Sequence, residues 1–220
     1  MLRSRFHGAC EPAPVFRGAL RQYDLRSFED GRLFVIVGAM GPPKLWGYAL
    51  DAALQGFAEG LARPHDGSMS SRLHQGLDGA RNLLRQRISM LIERRTADVT
   101  LIALGIEGPI VHVLCVGPGR AYVRRAKKLR RLSPREERAE GLLRATPAFC
   151  AETLLPYDVI LAGSLSACSE LSLSALHEGL GNTRDVAPEQ VVKLLNEHAA
   201  ARGLGAAALA ICVQEVEPVT

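Results

Sequence analysis

The sequence predicts one layered α+β domain, and three observations carry that prediction. Short apolar runs of strand character lie in both halves of the chain, residues 33–37 (Leu-Phe-Val-Ile-Val) near the start and 207–216 at the end. Segments with apolar residues at helical spacing stand between them. The 220-residue length, with 47% apolar and 23% charged residues, suits a single domain with a sizeable core and excludes a disordered or collagen-like chain.

In chain order, residues 33–37 follow the turn Glu29-Asp-Gly31 and end in Gly38-Ala-Met-Gly-Pro-Pro43. Residues 44–62 put Leu50, Leu54, Phe57 and Leu61 on one helical face and close at Arg63-Pro64. Ser68 or Ser70 then N-caps a longer helix over residues 68–94. Its stripe Leu73, Leu77, Ala80, Leu84, Ile88, Leu91 recurs every three or four residues. Gly76 and Gly79 each cost about 1 kcal/mol relative to Ala in a helix, which points to a closely packed neighbour. Residues 99–104, 110–116 and 120–125 read as strands, with connections short enough for antiparallel neighbours. A polar stretch covers 133–144, and 157–162 is another strand. Two helices follow at 170–180 and 188–202, with Pro188 in the first turn and Gly203 past the end. No element is predicted before Phe16, so the core of the single domain, residues 1–220, is expected over about 15–216.

The charge total needs dissecting. Lys and Arg number 27 against 23 Asp and Glu, a formal +4. Seven of the basic residues (Arg120, Arg124, Arg125, Lys127, Lys128, Arg130, Arg131) lie within one stretch that holds no acid; the remainder is 20 against 23, a net of −3. That excludes a diffuse nucleic-acid surface. The run reads either as a solvated hairpin tip, its charges discouraging edge pairing, or as a patch (Arg124, Arg125, Lys127, Lys128, Arg130, Arg131) that docks an acidic or phosphorylated partner. Only Tyr122 is interleaved with it, so nucleic acid is not expected.

Chemistry-bearing motifs are scarce. Five scattered cysteines without C-x-x-C give no disulfide framework or zinc site, and six histidines show no metal-ligand spacing. No apolar stretch approaches a membrane span, and a reducing cytoplasm is the expected location. The turn Gly38-Ala-Met-Gly-Pro-Pro-Lys44 lacks the G-K-[ST] of a phosphate loop, and its prolines remove backbone donors such a loop needs. No G-x-S-x-G is present. No metal or cofactor is expected.

The order of segments says more. Gly18-x-x-Arg21-x-x-Asp24-Leu25-Arg26 has the spacing of G-x-x-R-x-x-N-E-D. Leu33-Phe-Val-Ile-Val-Gly-Ala-Met-Gly-Pro42 is similar to a strand ending in D-G-M-G-G. Val99-Thr-Leu-Ile-Ala-Leu104 matches a T-T-hydrophobic strand, and Gly117-Pro-Gly-Arg-Ala-Tyr-Val-Arg124 a G-D-S-R-x-Y turn. Tyr157-Asp-Val-Ile-Leu-Ala-Gly-Ser164 and Ala206-Ala-Ala-Leu-Ala-Ile-Cys-Val213 fall where G-D-x-x-L-L-x-S and the D-N-containing closing strand belong. In this order the chain resembles the PPM-type (type-2C) metal-dependent protein serine/threonine phosphatases in their bacterial single-domain form. The resemblance implies a four-layer αββα sandwich: two antiparallel sheets face to face, helices 44–62 and 68–94 outside one, 170–180 and 188–202 outside the other.

The departures bear on function. In that family, carboxylates at strand ends hold two divalent cations that activate a water. The matching positions here are Leu25, Arg26, Gly38, Ala39, Pro118, Leu165, Ala206 and Ala207. A hard cation needs several oxygen ligands, and none of these side chains offers one. The expectation is a catalytically inactive pseudophosphatase acting as a protein-binding adaptor or regulator in bacterial phosphorylation signalling. Its partner would be a kinase, a phosphoprotein or an assembly subunit. Arg21 matches the family's phosphate-contacting arginine; with Arg26 it would read a phosphate or other anion, unless both pair with acids such as Asp24 or Glu29. Two alternatives stay open: a weak phosphatase using displaced ligands such as Asp24, Asp98 or Asp158, and a purely structural subunit.

Overall fold

Two five-stranded antiparallel sheets lie face to face in the computed structural model, which describes residues 2–15, 18–64, 67–90, 97–135, 140–181 and 186–215. The strands are β1 (Leu2–Glu11), β2 (Ala13–Val15), β3 (Gly18–Leu20), β4 (Tyr23–Phe28), β5 (Leu33–Met40), β6 (Asp98–Glu107), β7 (Ile110–Val116), β8 (Arg120–Arg125), β9 (Lys128–Arg131), β10 (Ala148–Thr153), β11 (Val159–Gly163) and β12 (Ala206–Glu215). The helices are α1 (Trp46–Leu61), α2 (Met69–Ser89), α3 (Glu170–Leu180) and α4 (Pro188–Ala200). The first sheet runs β1-β12-β11-β8-β9 and the second β10-β7-β6-β5-β4, with β2 and β3 a separate hairpin.

Alternation along the strands builds three apolar layers. On β5, Leu33, Val35, Val37 and Ala39 face α1 and α2, while Phe34 and Ile36 face the other sheet. On β12, Ala207, Leu209, Ile211 and Val213 face the sandwich interior, while Ala206, Ala208, Ala210 and Cys212 lie under α3 and α4. The four-layer αββα arrangement follows directly.

The close helix neighbour implied by Gly76 and Gly79 is α1. A Cβ at Gly79 would meet the Gly56 carbonyl oxygen, and one at Gly76 would lie 2.6 Å from the Phe57 ring. Ser68 is the N-cap of α2, its hydroxyl accepting from the Ser71 N–H at 3.2 Å.

Some boundaries differ from expectation. The α2 region ends at Ser89 with Met90 as its cap, and residues 91–96 lie outside the described ones. A 3₁₀ turn over Pro43–Leu45 precedes α1, and α4 stops at Ala200. No strand was expected over β2, β3 or β4, and two edge strands were not foreseen either. The first is β1, which extends the first sheet by ten paired residues ahead of the expected core. It lacks an apolar run, and its order comes from the ladder to β12 and from Phe6, whose ring meets Phe34 edge-on at 4.7 Å. The second is β10, an edge strand whose residues alternate between half-buried and exposed. Among the described residues no helix is long and apolar enough to cross a membrane.

Candidate functional site

The antiparallel registers bring the eight metal-matched positions to one end of the sandwich. Gly38 and Ala39 end β5, Ala206 and Ala207 begin β12, Pro118 sits in the β7–β8 turn and Leu165 follows β11. Leu25 and Arg26 lie on β4 opposite Ile36 and Val35, near its paired end with Gly38. Their side chains do not converge. Leu25 packs into the inter-sheet layer over Gly8. Arg26 lies on the strand face opposite Leu25, the face it shares with Asp24, and is exposed. Ala39 belongs to the α1–α2 layer and Ala206 to the α3–α4 layer, while Leu165 is 39% exposed.

What occupies this end is Tyr23, the first residue of β4. Its register partner is Gly38, and its ring lies so close that a Cβ there would come within 2.6 Å of the ring and 2.7 Å of Thr100 Oγ1. The ring thus fills space on the β5–β6 side, and Ser164 and Ser166, beyond β11 of the other sheet, lie near it. Burial pushes the Tyr23 phenol above its ordinary value, against the pull of Ser166 and Ser164.

The two serines are fixed by their own bonds. Ser164 Oγ accepts from the Ala167 and Ala207 N–H groups, each at 3.2 Å. The two hydroxyls are 2.8 Å apart, and Ser166 donates to the Gly205 carbonyl at 2.6 Å. Ser164 therefore donates to Ser166, which spends both hydroxyl protons within the protein. Cys10 is held nearby as a thiol, pushed up to about 12 by burial, with the Asp24 and Glu11 charges adding to it.

Arg21 is engaged. Its Nη1 donates to Asp24 at 3.2 Å and its Nη2 to Asp51, on α1, at 2.5 Å. One planar fork thus spans two carboxylates, the arrangement a phosphate would otherwise take. Arg26 has no hydrogen bond or ion pair with a described residue, and Glu29 pairs with Arg72. The structure does not bring Arg21 and Arg26 onto a common anion site.

The three displaced-ligand candidates are held apart. Asp24 also accepts from the Leu25 N–H at 2.8 Å. Asp98, at the start of β6, accepts from the Val99 and Leu143 N–H groups, and burial raises its pKa. Asp158 precedes β11 at the opposite end of the sandwich, fully buried against Arg125 and the Leu155 N–H. Among the described residues no three His, Cys, Asp or Glu side chains group closely enough to hold a metal ion. Two divalent cations do not fit this end: carbon side chains and an arginine stand at the matched positions, and the Tyr23 ring takes up space beside them.

The basic run is a hairpin, β8 and β9, with most of its charge answered locally. Arg124 is buried and donates to the Gly181 carbonyl at the end of α3, 3.0 Å away. Arg125 grips Asp158 with Nε and Nη2, at 3.0 and 2.7 Å, and lies 3.3 Å from Glu152. Arg130 pairs with Glu152, and Arg131 donates to Ser133. Only Lys127 and Lys128 of the six have no partner among the described residues.

Sequence reasoning did not pick out Tyr23, Ser164 and Ser166. The available signal was a tyrosine two residues before Leu25, facing a glycine where the similar family keeps Asp.

No protein-family model matches the chain, and no curated protein sequence matches it. Solved structures do. The catalytic domain of the serine/threonine protein phosphatase PstP in complex with two manganese ions superposes with a TM-score of 0.78 at 16% identity, covering 98% of this chain and 100% of that one. PppA, a key regulatory component of T6SS in Pseudomonas aeruginosa, gives 0.77 at 19%, covering 94% and 96%. The PPM Ser-Thr phosphatase MsPP from Mycobacterium smegmatis, in complex with cacodylate, gives 0.71 at 17%, covering 94% and 97%. With two five-stranded sheets and four α-helices among the described residues, and near-complete coverage on both sides, the chain has the fold of the PPM-type serine/threonine phosphatases.

Proposed function

We propose that this chain is a catalytically inactive phosphatase-fold domain that works by binding other proteins, as an adaptor or regulator in bacterial serine/threonine phosphorylation signalling in the cytoplasm. One observation carries the reading: the Tyr23 ring fills the space beside Gly38, at the end where the carboxylates of a two-metal centre would have to converge. Gly38 has no room for an aspartate beside that ring. A phosphoryl-transfer site without cations or an acid–base pair has nothing to lower the pKa of an attacking water. PppA, with the same fold, is described as a regulatory component, which agrees with a regulatory role here.

Recognition of phosphate by Arg21 and Arg26 has less support than recognition elsewhere on the surface, because Arg21 already holds Asp24 and Asp51. The test is turnover of a chromogenic phosphate ester in millimolar Mn²⁺. No metal-dependent hydrolysis above a buffer blank is expected, and hydrolysis that chelation abolishes would overturn the proposal.

A further inference from the structure

Between the β8–β9 hairpin and α3 lies a narrow crevice lined by Arg124, Lys127, Leu129, Leu173, Leu176 and His177. Arg124 is only 7% exposed there. Its Nη2 meets one neutral acceptor, the Gly181 carbonyl, and its Nε has no hydrogen-bond partner among the described residues. A buried guanidinium short of acceptors is costly, and no carboxylate among the described residues lines the crevice to answer it. Lys127 adds a second positive charge, also without a partner among the described residues. Arg120, Arg125, Arg130 and Arg131 are committed elsewhere, so the unanswered charge, on Lys127 and its neighbour Lys128, is concentrated at this end of the hairpin.

The backbone presents Lys127 in an uncommon way. Ala126 and Lys127 form the two-residue turn at φ 47° and 68°, where Asn-Gly is the usual choice. Leu129 is 38% exposed and, with Leu173 and Leu176, gives the crevice an apolar lining. The free space, about 20 Å³, holds one or two water-sized groups.

We infer that this crevice docks an acidic side chain of a partner protein, a glutamate or aspartate beside an apolar residue, with the carboxylate on Arg124 and Lys127 and the apolar neighbour on Leu129 and Leu173. The inference rests on the binding role proposed above and gives that role a surface and a partner chemistry.

Fluorescence anisotropy with three labelled peptides tests it: one alternating Glu and Leu, its Gln counterpart and its phosphoserine counterpart. Saturable binding of the Glu peptide is expected, weakening as NaCl is added. Lys127→Glu should weaken it by about tenfold or more, and Leu129→Ser should weaken it too. Both positions are exposed, so these variants carry the test even where Arg124→Met loosens α3. Equal binding of the Gln peptide, an unaffected Lys127→Glu variant, or binding of the phosphoserine peptide alone would overturn the inference. Failure of the inactive-phosphatase reading would show separately, as Mn²⁺-dependent turnover that Lys127→Glu leaves unchanged.

Discussion

Tyr23 and Gly38 define the site as a pair: a ring on one strand fits because its partner has no side chain. Restoring the acid by Gly38→Asp should therefore destabilise the fold by about 1–3 kcal/mol, the usual cost of forcing atoms into a packed site. In a Tyr23→Ala background that added cost should shrink, and a double-mutant cycle by urea denaturation measures the coupling. Additive losses would show that the ring does not fill the space. Asp98 offers a pH test. Burial raises its folded-state pKa above the ordinary 3.8, so its contribution to stability is greatest below that value and is lost as pH rises through the folded pKa. Asp98→Asn keeps an oxygen to accept from Val99 and Leu143. The variant should gain stability relative to wild type at neutral pH, and that gain should fade below pH 3.8, as thermal melts across the range would show.

At the scale of elements, legibility followed local pattern. The α2 stripe and its Ser68 cap could be read, because a 3.6-residue period and a cap are local features. So could β7, β8 and α3, whose bounds agree with the reading residue for residue. Neither β1 nor β10 announces itself, since each is an edge strand completed by a partner distant in sequence. The same applies to the site. That no carboxylate stands at the eight matched positions can be read from the sequence. That Tyr23 takes up their space, and that Arg21 reaches Asp51 thirty positions away, depends on tertiary registers no local pattern encodes.

Two predictions belong to elements. Gly79→Leu should destabilise by about 2 kcal/mol or more in chemical denaturation, although glycine is the poorer helix former, because α1 and α2 touch backbone to backbone there. An unchanged midpoint would contradict that contact. Replacing Ala126-Lys127 by Asn-Gly should stabilise the hairpin by about 1–2 kcal/mol through relief of the left-handed backbone, while removing the Lys127 charge from the crevice. A higher melting temperature with weaker acidic-peptide binding is the expected combination.

For the molecule as a whole, three apolar layers and the Tyr23 ring packed at Gly38 close the sandwich using the chain's own side chains. Its stability should then be indifferent to metal: melting temperatures in EDTA and in millimolar Mn²⁺ should coincide, since a ligand that does not bind the native state cannot stabilise it. The most direct test of the central claim combines that comparison with catalysis, by assaying a chromogenic phosphate ester in Mn²⁺ on the same protein. The account predicts no hydrolysis above the blank and no shift in melting temperature. Metal-dependent hydrolysis together with a Mn²⁺-induced rise in melting temperature would contradict it.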